Sequence, residues 1–230
     1  MARKGKLIVI EGVDGSGKET QSKKLYQRLK KEEFKVMQIS YPRYNKPSST
    51  MVKAYLRGDF GDKAQDVSPY IASTFYAIDR YASYKEDYEH FYKEGGIIIA
   101  DRYTTANMVH QAGKIQDFKE REKFLDWLWD YEFNLYGLPI PDLVYFLDIP
   151  VKISQKLVEG RKNKFSEQGK KDIHERDLDH LQYSYETALS LVDKYHWKRI
   201  FCMREEKLKT IEEIHEEIYQ IFIALYKNCD

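Results

Sequence analysis

The sequence predicts an α/β fold with three layers, in which helices cover both faces of a five-stranded, mostly parallel sheet. Short apolar runs alternate with longer segments of helical periodicity along the 230 residues. Parallel strands need long crossover connections, which such helical segments supply, so the alternation indicates a mostly parallel sheet. Since the chain has no internal repeat and the length of one sizeable domain, we expect residues 1–230 to form a single domain.

The predicted strands are short apolar runs that stop at polar or turn-forming residues, as buried strands do. They cover residues 7–11, 35–40, 97–100, 143–147 and 199–202. Ligands of such folds bind outside the carboxyl ends of the strands. Glu11 and Asp101 both stand at such an end.

The predicted helices carry apolar positions at helical spacing among charged residues. They cover residues 18–31, 68–93, 117–136, 150–159, 172–195 and 210–226. Gly95 and Gly96 follow the longest of them, and Gly137 and Pro139 follow the third, as residues that end helices.

The composition is typical of a soluble globular protein. Hydrophobic residues make up 42% and charged residues 33%, and 38 Lys and Arg face 37 Asp and Glu. Because the chain is not basic as a whole, we expect no nucleic-acid partner. The apolar run at 7–10 is too short for a signal peptide or a membrane span, so we expect no membrane association. Cys202 and Cys229 lie far apart and away from clustered histidines, which favours a reducing cytoplasm over a disulfide framework or a zinc site.

Residues 12–18 have the spacing of a phosphate-binding loop, Gly-x-x-x-x-Gly-Lys, between a predicted strand and a predicted helix. Glycines let the backbone N–H groups surround a phosphate, the helix N-terminus adds a favourable dipole, and the lysine reaches the β- and γ-phosphates. The alternative is an accidental glycine-rich turn, which the flanking strand and helix disfavour. We therefore predict a P-loop NTPase-type fold that binds ATP through Gly12, Val13, Asp14, Gly15, Ser16, Gly17, Lys18, Glu19 and Thr20.

One position of this loop departs from the general motif. Residue 19 is Glu, where Ser or Thr usually binds Mg²⁺, and the hydroxyl is displaced to Thr20. A carboxylate beside a triphosphate would repel it, so we expect Glu19 to face solvent or a neighbouring helix. Mg²⁺, the cofactor expected with ATP, is then predicted to rely on Asp14 and Asp101.

Five blocks of the sequence resemble those of thymidylate kinases in order and spacing, from about residue 6 to residue 200. They are Glu-Gly-Val-Asp-Gly-Ser-Gly-Lys-Glu-Thr-Gln at 11–21, Tyr-Pro-Arg-Tyr at 41–44, Tyr-Ala-Ile-Asp-Arg at 76–80, Asp-Arg-Tyr at 101–103 and Gly-Leu-Pro-x-Pro-Asp at 137–142. The resemblance implies a nucleoside monophosphate kinase that transfers the γ-phosphate of ATP to deoxythymidine monophosphate (dTMP), for the synthesis of DNA precursors. It also implies a homodimer.

The resemblance assigns roles residue by residue. Lys18, Arg102 and Asp14 are implied to be catalytic, with Arg102 on the acceptor phosphate, and Asp101 is implied to hold Arg102 and the water shell of Mg²⁺. The planar fork of Arg102 suits a phosphate. The alternative is that Arg102 has a structural role only, as an ion pair with Asp101. The implied dTMP site consists of Asp14, Tyr41, Arg43, Tyr44, Tyr76, Arg80, Arg102, Asn107, His110 and Gln111.

Tyr76 and Arg80 are four residues apart and therefore lie on one face of the predicted helix. A ring for stacking and an arginine for a carbonyl oxygen suit a pyrimidine base. The helix is rich in tyrosine, so core packing or an oligomer contact is the alternative for Tyr76. His110 stands where many family members place Tyr against the 2′ edge of the sugar, and this leaves the selectivity for deoxyribose open.

Residues 161–171 contain five basic residues and one acidic residue after a predicted helix. Taken alone, such a stretch is as readily a solvated charge run as a functional segment. Members of the family keep a catalytic arginine either in the phosphate loop or in a lid, and Gly15 and Ser16 leave none in the loop. We therefore predict the bacterial type, with a mobile basic lid at about 160–172 that acts through Arg161 and Lys164. The secondary lid candidates are Arg176, Asp172, His174 and Glu175.

Other functions stay open at this point. One is a kinase for another nucleoside monophosphate or for an unphosphorylated nucleoside, although Arg102 and the basic lid favour a phosphorylated acceptor. Another is a non-catalytic nucleotide-binding regulator, which Glu19 in place of a hydroxyl supports. A P-loop nucleic-acid motor is disfavoured by the near-neutral charge and the short single domain.

Overall fold

The computed structural model describes residues 5–158, Ile173 and residues 177–227. The segment predicted to form the basic lid lies outside these described residues. So do the candidates within and beside it, which are Arg161, Lys164, Asp172, His174, Glu175 and Arg176.

A five-stranded parallel sheet forms the centre of the described structure. Its strands are β1 (Lys6–Glu11), β2 (Val36–Ser40), β3 (Ile97–Asp101), β4 (Leu143–Asp148) and β5 (Lys198–Phe201). The strand order is β2-β3-β1-β4-β5, and every neighbouring pair is parallel. The predicted five-stranded α/β sheet is confirmed, with strand ends that agree to within one residue.

The helices of the described ranges follow the strands in alternation. They are α1 (Lys18–Lys31), α2 (Thr50–Arg57), α3 (Pro69–Ser83), α4 (Glu89–Lys93), α5 (Thr104–His110), α6 (Phe118–Trp129), α7 (Val151–Val158), α8 (Leu178–Lys194) and α9 (Ile211–Lys227). A π-helical turn at Tyr84–Tyr88 joins α3 to α4, and a second one at Asp130–Leu135 extends α6. An antiparallel hairpin of β6 (Met203–Arg204) and β7 (Lys207–Leu208) lies between β5 and α9. In the described part of the chain, no helix combines the length and the apolar character that crossing a membrane requires.

The predicted helices differ from the structure in three places. The helix predicted at 172–195 begins only at Leu178, because Asp177 has an extended backbone and its side chain caps the helix by accepting from the backbone N–H of His180. Helix α2 was not predicted, and neither was the short helix α5. Its Thr-Thr-Ala-Asn-Met-Val-His sequence contains weak helix formers and is too short to show a periodicity.

The two faces of the sheet contact different helices. Successive side chains of a strand point to opposite faces, so the core divides into two apolar clusters. One contains Leu7, Val9 and Ile98 of the sheet together with residues of α6 and α8. The other contains Ile8 and Ile10 together with residues of α1 and α9. This arrangement confirms the predicted helical layers on both faces.

The carboxyl edge of the sheet positions the candidate site. β1 and β3 are neighbours, with Ile10 in register with Asp101. The phosphate loop follows β1 and the Asp101-Arg102 pair ends β3, so both emerge side by side. β2, on the far side of β3, leads into Tyr41 at the same edge.

Candidate active site

The phosphate loop has the backbone conformation that its glycines predict. Gly12 and Gly17 have φ values of 154° and 91°, in the region that favours glycine. A Cβ atom on Gly12 would lie 2.6 Å from Ser16 Oγ and 3.0 Å from the carbonyl oxygen of Leu147. Gly12 is therefore required for the close approach of the loop to the end of β4.

Lys18 begins α1 and folds back over this loop. Its Nζ donates to the carbonyl oxygen of Val13 at 2.9 Å and lies 3.6 Å from Asp14 Oδ1. Burial lowers the pKa of Lys18, as does the charge of Arg102, whereas Asp14 and Glu11 raise it in part. The ammonium group is thus held inside the loop, where the sequence motif places the donor phosphates.

Arg102 joins the end of β3 to the phosphate loop. Its φ of 67° is rare for a residue other than glycine, and its backbone N–H donates to the carbonyl oxygen of Ile10 at 3.3 Å. Its Nη2 donates to Asp14 Oδ1, and its Nη1 lies 3.1 Å from His110 Nε2. Burial opposes the charge, but Asp14 and Glu11 outweigh it and raise the pKa of Arg102, so the fork stays cationic.

The two carboxylates predicted for Mg²⁺ lie at the same edge of the sheet. Asp101 is buried, and its Oδ2 accepts from Ser40 Oγ at 3.4 Å. The carboxylate of Asp14 pairs with Arg102 and Lys18. Among the described residues, no group of three or more His, Cys, Asp and Glu side chains could hold a metal ion. A magnesium ion here would depend on phosphate and water oxygens for most of its ligands.

Glu19 and Thr20 differ in their exposure to solvent. Glu19 is exposed on the outer side of α1, as expected for a carboxylate beside a phosphate site. Thr20 is half-buried. Ser16 Oγ is buried and has no hydrogen-bond partner among the described residues, so the loop retains a hydroxyl that is free to contact a ligand.

Glu11 is a site residue to which the sequence interpretation gave no role. It is fully buried, and it accepts from the backbone N–H of Gly12 at 3.0 Å and from Thr105 Oγ1 at 2.8 Å. Burial raises the pKa of Glu11, and the charges of Arg102 and Lys18 oppose this rise. An acidic residue at the end of an apolar strand is the signal that could have identified it.

The predicted base site lies between α3 and α5. Tyr76 is half-buried, and its ring meets that of Tyr55 edge-on with centroids 6.4 Å apart. Asn107 Nδ2 donates to the carbonyl oxygen of Ser73 at 3.3 Å. Ser73 Oγ and Gln111 Oε1 are buried and lack a hydrogen-bond partner in the part of the chain that the structure describes. Unpaired buried polar atoms of this kind suit a ligand that would complete their hydrogen bonds.

His110 contacts the phosphate-binding side of the site. Its ring lies next to Arg102, as described above, and its centroid is 5.9 Å from that of His180. Burial, reinforced by the charge of Arg102, lowers the pKa of His110 well below its ordinary value. The ring is therefore neutral, with Nε2 as the acceptor towards Arg102. Its predicted contact with the sugar stays a prediction.

Arg80 is fully buried and pairs with Glu132 of the π-helical turn. Nε and Nη2 of Arg80 each lie 2.6 Å from an oxygen of Glu132, and Thr104 Oγ1 donates to Oε2 at 2.8 Å. Burial opposes the charge, but Glu132 outweighs it and raises the pKa of Arg80. Glu132 is a second buried carboxylate that the sequence interpretation did not identify.

Arg43 lies in a cluster of carboxylates. Its Nε is 3.2 Å from Asp79 Oδ1 and its Nη1 is 2.6 Å from Asp87 Oδ2. Tyr44, further along the loop, packs against the apolar cluster that contains Tyr55, and it contributes to the raised pKa of Arg102. Tyr41 is buried against Tyr103 with ring centroids 6.1 Å apart. The structure thus gives Arg43 a role in joining the β2 loop to α3, and its contact with dTMP stays a prediction.

The chain is similar to known proteins of one family. Residues 10–218 match the family model described as thymidylate kinase. The thymidylate kinase of Mycobacterium tuberculosis (strain H37Rv) is 30% identical over 174 residues, which cover 75% of this chain and 79% of the relative. The probable thymidylate kinase of Thermococcus onnurineus is 29% identical over 214 residues, which cover 92% and 94%. A solved thymidylate kinase from Candida albicans has the same fold, with a TM-score of 0.69 and 22% identity over 99% of this chain and 94% of that one.

Proposed function

The chain belongs to the thymidylate kinase family, and from that premise we propose that it phosphorylates dTMP to the diphosphate with ATP. One observation carries the proposal. Asp14 of the phosphate loop pairs with Arg102, the arginine predicted for the acceptor phosphate, and also with Lys18, the lysine of the donor site. A single carboxylate therefore holds a donor-binding and an acceptor-binding cation side by side.

The proposed reaction is a direct transfer without a covalent enzyme intermediate. Lys18 and the N–H groups of the loop hold the triphosphate, and Arg102 orients the acceptor phosphate through its planar fork. An oxygen of the dTMP phosphate attacks the γ-phosphorus, and the bond to the β–γ bridging oxygen breaks, so ADP leaves with the negative charge. Protein groups bind, orient and stabilise charge, which is most of what phosphoryl transfer requires.

The donor set at the sheet edge fits Mg²⁺. Proteins commonly hold this ion through one or two carboxylates, while phosphates and waters complete the shell. Asp14 and Asp101 are the two proposed carboxylates, and both act on the charges of Lys18 and Arg102 at this edge. When bound, the ion supplies neutralisation of the phosphate charge.

The dTMP base is assigned to the space between α3 and α5. Tyr76 supplies a ring for stacking, and Asn107 and Gln111 supply amide groups for the edge of the base. The unpaired Gln111 Oε1 supports this assignment, since it is an acceptor without a donor in the described structure.

The positive charge missing from the phosphate loop is assigned to the segment at 160–172. Neither Gly15 nor Ser16 can supply it. We therefore keep Arg161 and Lys164 as the proposed lid residues and the bacterial type as the proposed subtype, within one kinase domain. Measuring kcat for Arg161→Ala and Lys164→Ala tests this assignment, and wild-type rates in both variants would contradict it.

The proposed enzyme is a cytoplasmic homodimer. Ile71, Ile78 and Tyr81 of α3 have exposed fractions of 53%, 46% and 42%, and their spacing places them along one side of the helix. A row of exposed apolar residues suits a contact with a second copy. Sedimentation of the wild type and of an Ile78→Glu variant tests this, since a monomeric wild type would exclude the dimer.

The function is tested by measuring ADP release with ATP and a panel of acceptors. We expect turnover with dTMP to exceed that with dCMP, AMP, GMP and unphosphorylated thymidine. A preference for a purine monophosphate or for a nucleoside would contradict the proposal. Binding of ATP without product from any acceptor would instead indicate a non-catalytic regulator.

A further inference from the structure

The pair formed by Arg80 and Glu132 is an unusual feature of the acceptor side. The side chain of Arg80 is 2% exposed and that of Glu132 is 0% exposed. Both oxygens of Glu132 accept charge-assisted bonds of 2.6 Å from the same guanidinium group, and Thr104 Oγ1 supplies a third donor. A buried pair seldom adds net stability over apolar residues, because removing two charges from water is costly. Its retention here therefore points to a role in orientation.

The pairing fixes the plane and the direction of the guanidinium group. Two of its five N–H hydrogens go to Glu132, and a third is directed at the carbonyl oxygen of Tyr103 at 3.4 Å. One hydrogen on Nη1 and one on Nη2 have no acceptor among the described residues. Because a bidentate pair allows one orientation only, these two donors point in a fixed direction.

The direction is set relative to the proposed base site. Ser73, Tyr76 and Arg80 recur at positions i, i+3 and i+7 of α3 and so share one face. That face contacts α5 through the bond from Asn107 to the backbone of Ser73. Thr104, whose hydroxyl is the third donor to Glu132, is the first residue of α5. The carboxylate of Glu132 therefore ties the arginine of α3 to the helix that carries the amide groups.

We propose that Glu132 is a positioning residue that determines which pyrimidine the enzyme accepts. It holds Arg80 so that only N–H donors face the C4 substituent of the base. A carbonyl oxygen at C4, as in thymine and uracil, accepts hydrogen bonds from these donors. The amino group at C4 of cytosine is itself a donor and cannot accept them. This inference rests on the proposed function, since it assumes dTMP as the acceptor.

The test compares kcat/KM for dTMP and dCMP in wild type and in Glu132→Gln. The variant removes the charge but keeps the size of the side chain, so Arg80 is no longer held in one orientation. We expect the preference for dTMP over dCMP to fall by at least about tenfold, through a higher KM for dTMP. kcat and the KM for ATP should stay within about threefold of wild type, because Lys18 and Arg102 are untouched. An unchanged preference would overturn the proposal.

Two further variants keep the test decisive if Glu132→Gln does not fold. Glu132→Asp retains the charge but is too short to match both nitrogen atoms, and Thr104→Val removes only the third donor. We expect each to lower the preference for dTMP by about threefold or more. Wild-type preference in both folded variants would also overturn the inference.

Asp148 offers a matched control for lost stability. It is a buried carboxylate that likewise binds one arginine and one hydroxyl, through Arg199 at 2.9 Å and Tyr185 at 2.7 Å. We expect Asp148→Asn to lower Tm while leaving the ratio of dTMP to dCMP within about twofold. An equal change of the ratio in this control would show that the effect is one of general stability and would overturn the proposal.

The failure of this inference is distinct from the failure of the proposed function. If the wild type does not phosphorylate dTMP, the proposed function is wrong. If the wild type prefers dTMP and the Glu132 and Thr104 variants share that preference unchanged, only the role of Glu132 is wrong.

Discussion

Replacing Arg102 with Met removes the guanidinium fork that is proposed to bind the acceptor phosphate, while keeping a long, unbranched side chain. The wild-type side chain is 19% exposed, and its guanidinium group bonds Asp14 and His110 at the end of β3. In the variant, the carboxylate of Asp14 loses its bond to the guanidinium group, and Lys18 is the cation left beside it. The acceptor phosphate is a dianion. It then loses its attraction to the guanidinium group and is repelled by a carboxylate that the arginine no longer neutralises.

The size of the effect follows from the bonds that are lost. A fork that holds a phosphate bidentately supplies two charge-assisted hydrogen bonds, each contributing about 1.5–3 kcal/mol. Loss of both raises the barrier by about 3–6 kcal/mol, which lowers kcat/KM for dTMP by about 10²–10⁴-fold. The KM for ATP should change little, because Lys18 keeps its bond to Val13.

The assay is steady-state ADP release with dTMP varied at saturating ATP, together with Tm of each variant. Arg57→Met is the matched control, since Arg57 forms an exposed ion pair with Asp59 and should leave kcat/KM unchanged. Arg102→Lys keeps the charge without the fork and should fall between wild type and Arg102→Met. A loss smaller than about tenfold in a folded Arg102→Met variant would refute the assignment of Arg102 to the acceptor phosphate.

The remaining predictions concern the donor site, the core and pH. Lys18→Ala should lower kcat by at least about 100-fold, because it removes a preorganised donor, while circular dichroism shows a folded chain; near-wild-type turnover would contradict the scheme. Leu25→Ala, at a fully buried position of α1, should lower the free energy of unfolding in urea by about 2–5 kcal/mol, whereas a loss below about 1 kcal/mol would show that neighbouring residues fill the cavity. Burial lowers the pKa of His180 from 6.5 to about 4, so the folded state binds fewer protons than the unfolded state in this range. The free energy of unfolding should therefore fall as pH drops from about 6.5 to about 4, and His180→Gln should flatten this decline, measured by urea unfolding at several pH values; parallel pH profiles would contradict it.

The sequence by itself determined the fold class and the donor site. Both depend on short-range patterns, since a strand, a glycine loop and a helix follow one another within residues 6–31. The positive φ values of Gly12 and Gly17 belong to the backbone of the loop itself, so their spacing is visible in the local sequence. The close approach of Gly12 to Leu147 of β4 is not visible there. The predicted start of α8 was six residues too early, because the sequence pattern does not show that Asp177 is the N-cap of this helix.

Only the tertiary structure decided how the charged residues of the acceptor side are paired. Arg80 and Glu132 are separated by 52 positions, and Glu11 and Thr105 by 94. A buried charged side chain needs an oppositely charged or hydrogen-bonding partner. That partner can lie far away in the sequence, so the neighbouring residues do not show which one it is. The family resemblance identified Arg80 together with Tyr76, but the carboxylate proposed to orient it lies on a different helix. That pairing is a property of the packed core, because only there does the cost of an unpaired charge become large enough to fix it.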